Sequence, residues 1–175
     1  YAPCTLGLEP ALEAELRALG ALDVEPRRGG VSFKGERRLA YSACLWLRSA
    51  IRVQELIVEG PVPSSAAFYK LVYDVDWEER FFKPGITFAI DAAVRDSRAT
   101  HSGFVALKAK DAIVDRLRRK WGDRPDVDTR DPDLPLKIVI KQDHATIWRD
   151  LSGDSLHKRG YRPIQVKGPL NESIA

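Results

Sequence analysis

Leucines at positions 8, 12, 16 and 19 recur at helical spacing and predict an amphipathic helix that Gly20 stops, after which residues 24–28 resume as a strand. Arg28, Gly29 and Gly30 turn the chain. Val31 and Phe33 then share one face of a further strand, and Leu39, Ala43, Trp46, Leu47 and Ala50 predict a second amphipathic helix before a strand over 52–58. With a strand ahead of the first helix, the order is β-α-β-β-α-β, the ferredoxin-like split unit.

Residues 60–65 (Gly, Pro, Val, Pro, Ser, Ser) are dense in turn formers and break the pattern. Beyond them a short helix is expected over 66–75, and Phe88, Ile90, Ala92 and Val94 alternate as on a strand. A long helix follows over 104–121, with Ala106, Ala109, Ile113, Val114, Leu117 and Trp121 as its buried stripe and Asp115 placed to pair with Arg118 and Arg119. Leu136, Ile138 and Ile140 alternate with Lys137 and Lys141. The chain reverses at residues 142–144 and runs back through 145–151. From Ser152 periodicity is lost, as in a linker, until residues 170–175 begin what reads as another helix, so the chain is expected to stop within an element. The fold class expected is α+β: a ferredoxin-like domain followed by an α/β domain.

Composition adds little until charge is localised. A chain of 175 residues with 44% hydrophobic and 30% charged positions is an ordinary globular one of one or two domains. Apolar runs such as 138–140 are far too short to cross a bilayer and no signal peptide opens the chain, so no membrane partner is expected and the cytoplasm is the default location. Cys4 and Cys44 cannot build a disulfide framework and are expected to be reduced, buried thiols. The net charge is only +3, yet it is unevenly spread. Residues 1–60 balance eight Lys/Arg with eight Asp/Glu, whereas residues 94–121 hold eight Lys/Arg against three Asp, and residues 151–168 hold four against one. Clustering of that kind is what phosphate neutralisation requires, although charged helix faces also serve solvation.

Several chemistries find no support. Asp123, Asp126, Asp128, Asp131 and Asp133 lack the central Gly and terminal Glu of an EF-hand loop and read as a solvated turn. His101, His144 and His157 have no second ligand at helical spacing, no Ser sits in a nucleophile elbow, and no Gly-rich phosphate loop occurs. Two basic stretches remain. Arg95 and Arg98 lie on the loop entering the long helix, whose free N–H groups, with Lys108 and Lys110, provide for a phosphate; a capped, soluble loop is the alternative. His157, Lys158, Arg159 and Arg162 surround Gly160 and Tyr161, a combination suited either to gripping an RNA backbone and stacking a base or to docking a hinge on a neighbouring domain.

These same segments carry a family resemblance. Residues 4–9 (Cys, Thr, Leu, Gly, Leu, Glu), 28–33 (Arg, Gly, Gly, Val, Ser, Phe), 38–41, 76–78, 108–115, 124–128, 150–162 and 168–175 resemble, in order and spacing, successive signatures of the large-subunit rRNA guanine-N2 methyltransferases with a THUMP domain. The resemblance implies an N-terminal ferredoxin-like domain (1–62), a THUMP domain binding structured RNA (63–151), and a linker with the first helix of a methyltransferase domain (152–175). It further implies S-adenosylmethionine as cofactor of the full-length protein, with none in this region, rRNA as substrate with tRNA as alternative, and the methyltransferase domain of the same chain as partner. The family's catalytic Asn/Asp-Pro-Pro-Tyr/Phe motif does not occur here, so no catalytic residue is assigned and the region alone is expected to be inactive. A scaffold that binds no RNA is the rival of a different class.

Overall fold

The computed structural model describes residues 1–98, 101–122 and 124–159. They fall into two compact units, Tyr1–Glu55 with the segment from Asp150 onward, and Leu56–Arg149.

In the first unit, β1 (Ala2–Pro3), α1 (Glu9–Ala18), β2 (Leu22–Arg27), β3 (Gly30–Lys34) and α2 (Arg37–Trp46) follow in order, and the antiparallel sheet runs β1-β3-β2. Leu12 and Leu16, one turn apart on α1, are fully buried with Ala2, Val31, Ala43 and Leu47. Close approach fixes Gly30: a Cβ there would lie 2.4 Å from the Tyr1 hydroxyl oxygen and 2.6 Å from the Ala2 carbonyl oxygen. The Glu15 carboxylate accepts from the Arg48 N–H (2.9 Å), the Ser49 N–H (3.2 Å) and the Ser49 hydroxyl (3.0 Å), which binds the chain after α2 to α1.

Two expectations change here. Trp46 does not join the core: α2 ends at that residue, Leu47 turns extended, and Leu47 and Ala50 are buried from outside the helix, so the 3.6-residue count no longer applies past Trp46. The segment from Ser152 packs on this unit instead of running free of it. Leu156 is buried, Ser152 Oγ accepts from the Val53 N–H (2.6 Å), and Arg52 donates to Asp150 (2.6 Å) and to the Gly153 carbonyl (2.6 Å). Its anchors are mostly hydrogen bonds between a side chain and a backbone group, which leave no hydrophobic period to read.

The second unit contains β4 (Gln54–Pro61), α3 (Ser65–Tyr73), α4 (Trp77–Arg80), β5 (Phe88–Arg95), α5 (Ser102–Trp121), β6 (Leu134–Lys141) and β7 (His144–Asp150). Its sheet runs β4-β7-β6-β5, so the strand expected to close the ferredoxin-like unit pairs in this sheet instead. β5 and β6 are parallel from Phe88 opposite Leu134 to Arg95 opposite Lys141, and α5 makes the crossover that parallel neighbours need. Leu134, Leu136, Ile138 and Ile140 are buried on one face of β6, against Val105, Ala109, Ala112, Ile113 and Leu117 of α5. The buried stripe of α5 thus includes Val105 and Ala112. Trp121 is 39% exposed and Ala106 and Val114 are only half-buried, contrary to the periodic count. Ser64 caps α3 by accepting from the Ala67 N–H (3.2 Å), and Gly122 ends α5 in the left-handed conformation.

Candidate nucleic-acid interface

Parallel pairing brings the C-terminal ends of β5 and β6 to the end of the sheet from which the chain enters α5. Register then sets Arg95 beside Lys141, and the antiparallel β6-β7 pair sets Lys141 beside His144. Paired residues share a face of a sheet. One exposed row across three strands therefore carries Arg95, Lys141 and His144.

The β6-β7 turn is built by Gln142 and Asp143, both at positive φ (51° and 55°), as a two-residue hairpin of the primed type requires. Asp143 is the tie between this turn and the loop after β5. Its carboxylate accepts from the Ser97 hydroxyl (2.7 Å) and the Arg98 N–H (2.8 Å), and the Arg98 guanidinium lies 3.3 Å away. These donors, the Arg98 N–H foremost, hold the Asp143 carboxyl below the usual carboxylate range. Its own carbonyl accepts from the Val62 N–H (2.6 Å), so the approach to α3 is held by the same residue. Arg98 nonetheless keeps 78% of its side chain exposed.

A cavity of about 210 Å³ opens at this end of the unit, with Arg98, His101 and Phe104 at the start of α5, Ser64 and Ser65 at the start of α3, and Phe68, Val105 and Ile140 among its walls. Among the described residues no side chain caps α5: His101 stands at that position without bonding its first N–H groups. An uncapped helix start presents unsatisfied N–H donors and partial positive charge. Arg98 and His101 thus stand at a site that already favours anions, while Arg95, Lys141 and His144 lie at the same end of the sheet on the face opposite the one that packs α5.

The other sequence-derived candidates lie elsewhere. Lys108 and Lys110 are about 9 and 12 Å along α5 from Ser102 at 1.5 Å per residue. The Lys108 ammonium sits 5.2 Å from the centre of the Tyr69 ring, and Lys110 is 3.4 Å from Asp111. Farther along, Asp115 does not pair with Arg118 or Arg119; it accepts from the Tyr69 hydroxyl (2.7 Å), whose pKa burial and this bond push up to about 12. Arg119 donates to the Tyr73 hydroxyl (3.3 Å). Arg116 donates to both oxygens of Glu78 (2.8 Å each) and to Asp76 (2.6 Å), and the Arg116 guanidinium holds the Glu78 carboxyl down at about 2.

In the first unit, the His157 ring shares a hydrogen bond with Ser155 Oγ (2.7 Å) and Lys158 is exposed. Arg159 donates to the carbonyls of Cys44 (2.9 Å), Leu47 (2.8 Å), Leu156 (2.9 Å) and Leu45, closing the C-terminal end of α2. Arg162 lies outside the described residues. Reading by charge runs missed Lys141 and His144, since only strand register brings them to the end of the sheet that carries Arg95. Among the described residues no group of His, Cys, Asp and Glu is arranged to hold a metal ion, and no helix is long and apolar enough to cross a membrane.

The RlmL ferredoxin-like domain model matches residues 1–54, and the THUMP domain model matches residues 64–150. This chain belongs to the RlmL and THUMP domain families. Its RlmL-type and THUMP domains together are similar to the ribosomal RNA large subunit methyltransferase K/L of Syntrophotalea carbinolica, 47% identical over the whole of this chain but only 24% of that protein. The chain thus spans about a quarter of the curated relatives it matches. Among solved structures, a predicted N6-adenine-specific DNA methylase from Listeria monocytogenes superposes with a TM-score of 0.88 at 27% identity, over 99% of this chain and 45% of that one. A putative methyltransferase complexed with SAH gives 0.87 at 29% identity, over the same shares. The anion-favouring end described above belongs to the THUMP domain.

Proposed function

We propose that this chain is the RNA-binding region of an S-adenosylmethionine-dependent rRNA guanine-N2 methyltransferase of the cytoplasm, and that it holds structured RNA for a catalytic domain downstream in the same protein. The gathering of cations at this end of the THUMP domain carries this reading: Arg98 lines the cavity at the positive start of α5, and Arg95, Lys141 and His144 form one exposed row at the adjoining end of the sheet, an arrangement favoured by an anion. Phosphates of an RNA stem are the anions proposed. Lys108 and Lys110, farther along α5, and His157, Lys158 and Arg162 would add secondary contacts. Arg159, with its guanidinium spent on carbonyls, would act by holding the return segment in place.

The cavity beside α5 is smaller than the roughly 300–1,000 Å³ of pockets for drug-sized ligands, so it suits a phosphate or the edge of a base better than a whole cofactor. S-adenosylmethionine is assigned to the proposed downstream domain, and no catalytic residue to this chain. The kinship with large-subunit rRNA methyltransferases favours rRNA as the substrate. The intact protein, incubated with labelled S-adenosylmethionine and in turn with protein-free large-subunit rRNA, tRNA and duplex DNA, is expected to label guanine N2 in the rRNA. Label confined to tRNA, or to adenine in DNA, would contradict the substrate assignment.

A further inference from the structure

Helix α2 of the RlmL-type domain ends with two large apolar side chains in water, Leu45 (66% exposed) and Trp46 (69%), and Tyr41 (59%) stands one turn before them. At about 100° per residue, Tyr41 and Leu45 lie about 40° apart on one face, and Trp46 is turned about 100° on from Leu45 round the end of the helix. The patch therefore wraps the last turn of α2 and is not a flat face. Aromatic and apolar groups gathered this closely in water mark a surface that is covered in use. The helix end that bears the patch is also where the last described stretch of the chain is tied. Leu156 is buried with Leu47, and Arg159 donates to the carbonyls of Cys44 (2.9 Å), Leu45 and Leu47 (2.8 Å).

We infer that this patch seats the catalytic domain that follows in the same protein, so that the end of α2 fixes how that domain is held. The assignment rests on the reading above, which places a methyltransferase domain downstream; this chain spans 24% of the Syntrophotalea relative, which leaves length for one. Position selects this occupant first. Chain continuing from Arg159 starts beside Leu45 and Trp46, so a domain joined soon after meets the patch at an effective concentration in about the millimolar range. Size selects it again. Three side chains at these exposures present roughly 400 Å², about half of what each partner gives to a standard interface between independent proteins, but enough to help seat a tethered domain. Nucleic acid fits the patch poorly: Tyr41 and Trp46 diverge by about 140°, so successive bases cannot stack on both, and Arg48 is held by Glu15 (3.8 Å). Arg37 and Arg38, exposed ahead of Tyr41, stay in water at the rim, where interfaces are polar.

Hydroxyl-radical footprinting of the intact protein, without RNA, is the test. Trp46 and Leu45 are expected to be protected, with Trp46 oxidised about as slowly as the fully buried Trp77, although here it exposes more of its surface than Trp121 (39%). The protection should be the same at protein concentrations about a hundredfold apart, because a tethered domain binds within its own chain. Protection that fades on dilution assigns the patch to a second copy and overturns the inference. Leu45→Asp puts a charge where the seated domain would bury it, and should raise the oxidation of Trp46 by about fivefold or more. The radius of gyration from X-ray scattering should grow in the same variant as the domain comes away. A radius that stays at the parent value while Trp46 becomes reactive overturns the inference, since a local segment and not a domain is then the cover. If Leu45→Asp does not fold, the parent footprint decides: Trp46 oxidised as fast as Trp121, or faster, overturns the inference. Methyl transfer is read separately. A covered Trp46 and a responding radius in a protein that methylates no RNA overturn the methyltransferase reading and leave the docking standing, whereas methylation with Trp46 exposed overturns the docking alone.

Discussion

The two ends of α5 carry similar numbers of cations and use them oppositely. Near its C-terminus, Arg116 is locked onto Glu78 and Asp76, Lys120 lies 3.5 Å from Glu78, and Arg119 bonds Tyr73. These charges sit at the negative end of the helix dipole and against acidic α4, so they stabilise the fold. At the N-terminus, Arg98 lines the cavity beside the positive end of the same dipole, Arg95 and Lys141 stand at the adjoining end of the sheet, and Asp143 is the carboxylate that meets Arg98 there. Such an arrangement favours an anion, which is why it is the proposed site for RNA phosphate. A run of basic residues therefore says little about function until its partners are known.

The largest expected effect breaks the stabilising end. Glu78 has only 4% of its side chain exposed, so Arg116→Ala leaves a buried carboxylate short of its main partner and should cost about 3–5 kcal/mol by chemical denaturation. The pH dependence follows from the same pair. The folded Glu78 pKa, about 2, lies below the usual 4.5, so its contribution is complete above about pH 4.5 and disappears as pH falls through 2. It amounts to about 3 kcal/mol in the parent and should largely vanish in the variant.

A smaller loss is expected in the other unit. Arg159→Ala removes donors from carbonyls of Cys44, Leu45 and Leu47 at the end of α2 and from Leu156, at a cost of about 1–3 kcal/mol. Amide exchange would register it as faster opening of the segment from Leu151. If instead Arg159→Ala leaves stability intact and weakens RNA binding, the arginine belongs with the interface and not with the fold.

Much of this division was legible before any coordinates. Period-2 and period-3.6 patterns located α1, α5, β5, β6 and β7, and the order of motifs indicated the two domain types. The failures have a common cause, that periodicity stops at an element's end. Trp46 was counted inward because α2 was extended past its last turn, and Trp121 because α5 was followed through to its last residue. The return segment was missed because hydrogen bonds from Val53 and Arg52, not an apolar stripe, hold it. At the proposed interface, Arg95 and Arg98 were nominated from charge beside a helix start, while Lys141 and His144 lie more than forty residues on in sequence and come beside Arg95 only through strand register.

The most direct measurement is the salt dependence of binding of an RNA stem-loop, compared between substitutions at the two ends of α5. Arg95→Gln with Lys141→Gln should reduce the slope of log affinity against log salt by about 0.7–0.9 for each phosphate left without its cation, with stability unchanged within about 0.5 kcal/mol or raised. Arg118→Gln, an exposed cation about 24 Å along α5 from Ser102, should leave the slope at its parent value. Equal losses from all three residues would mean that diffuse charge binds the RNA, and an unchanged slope in the Arg95 and Lys141 variant would mean that this end of the sheet does not bind it.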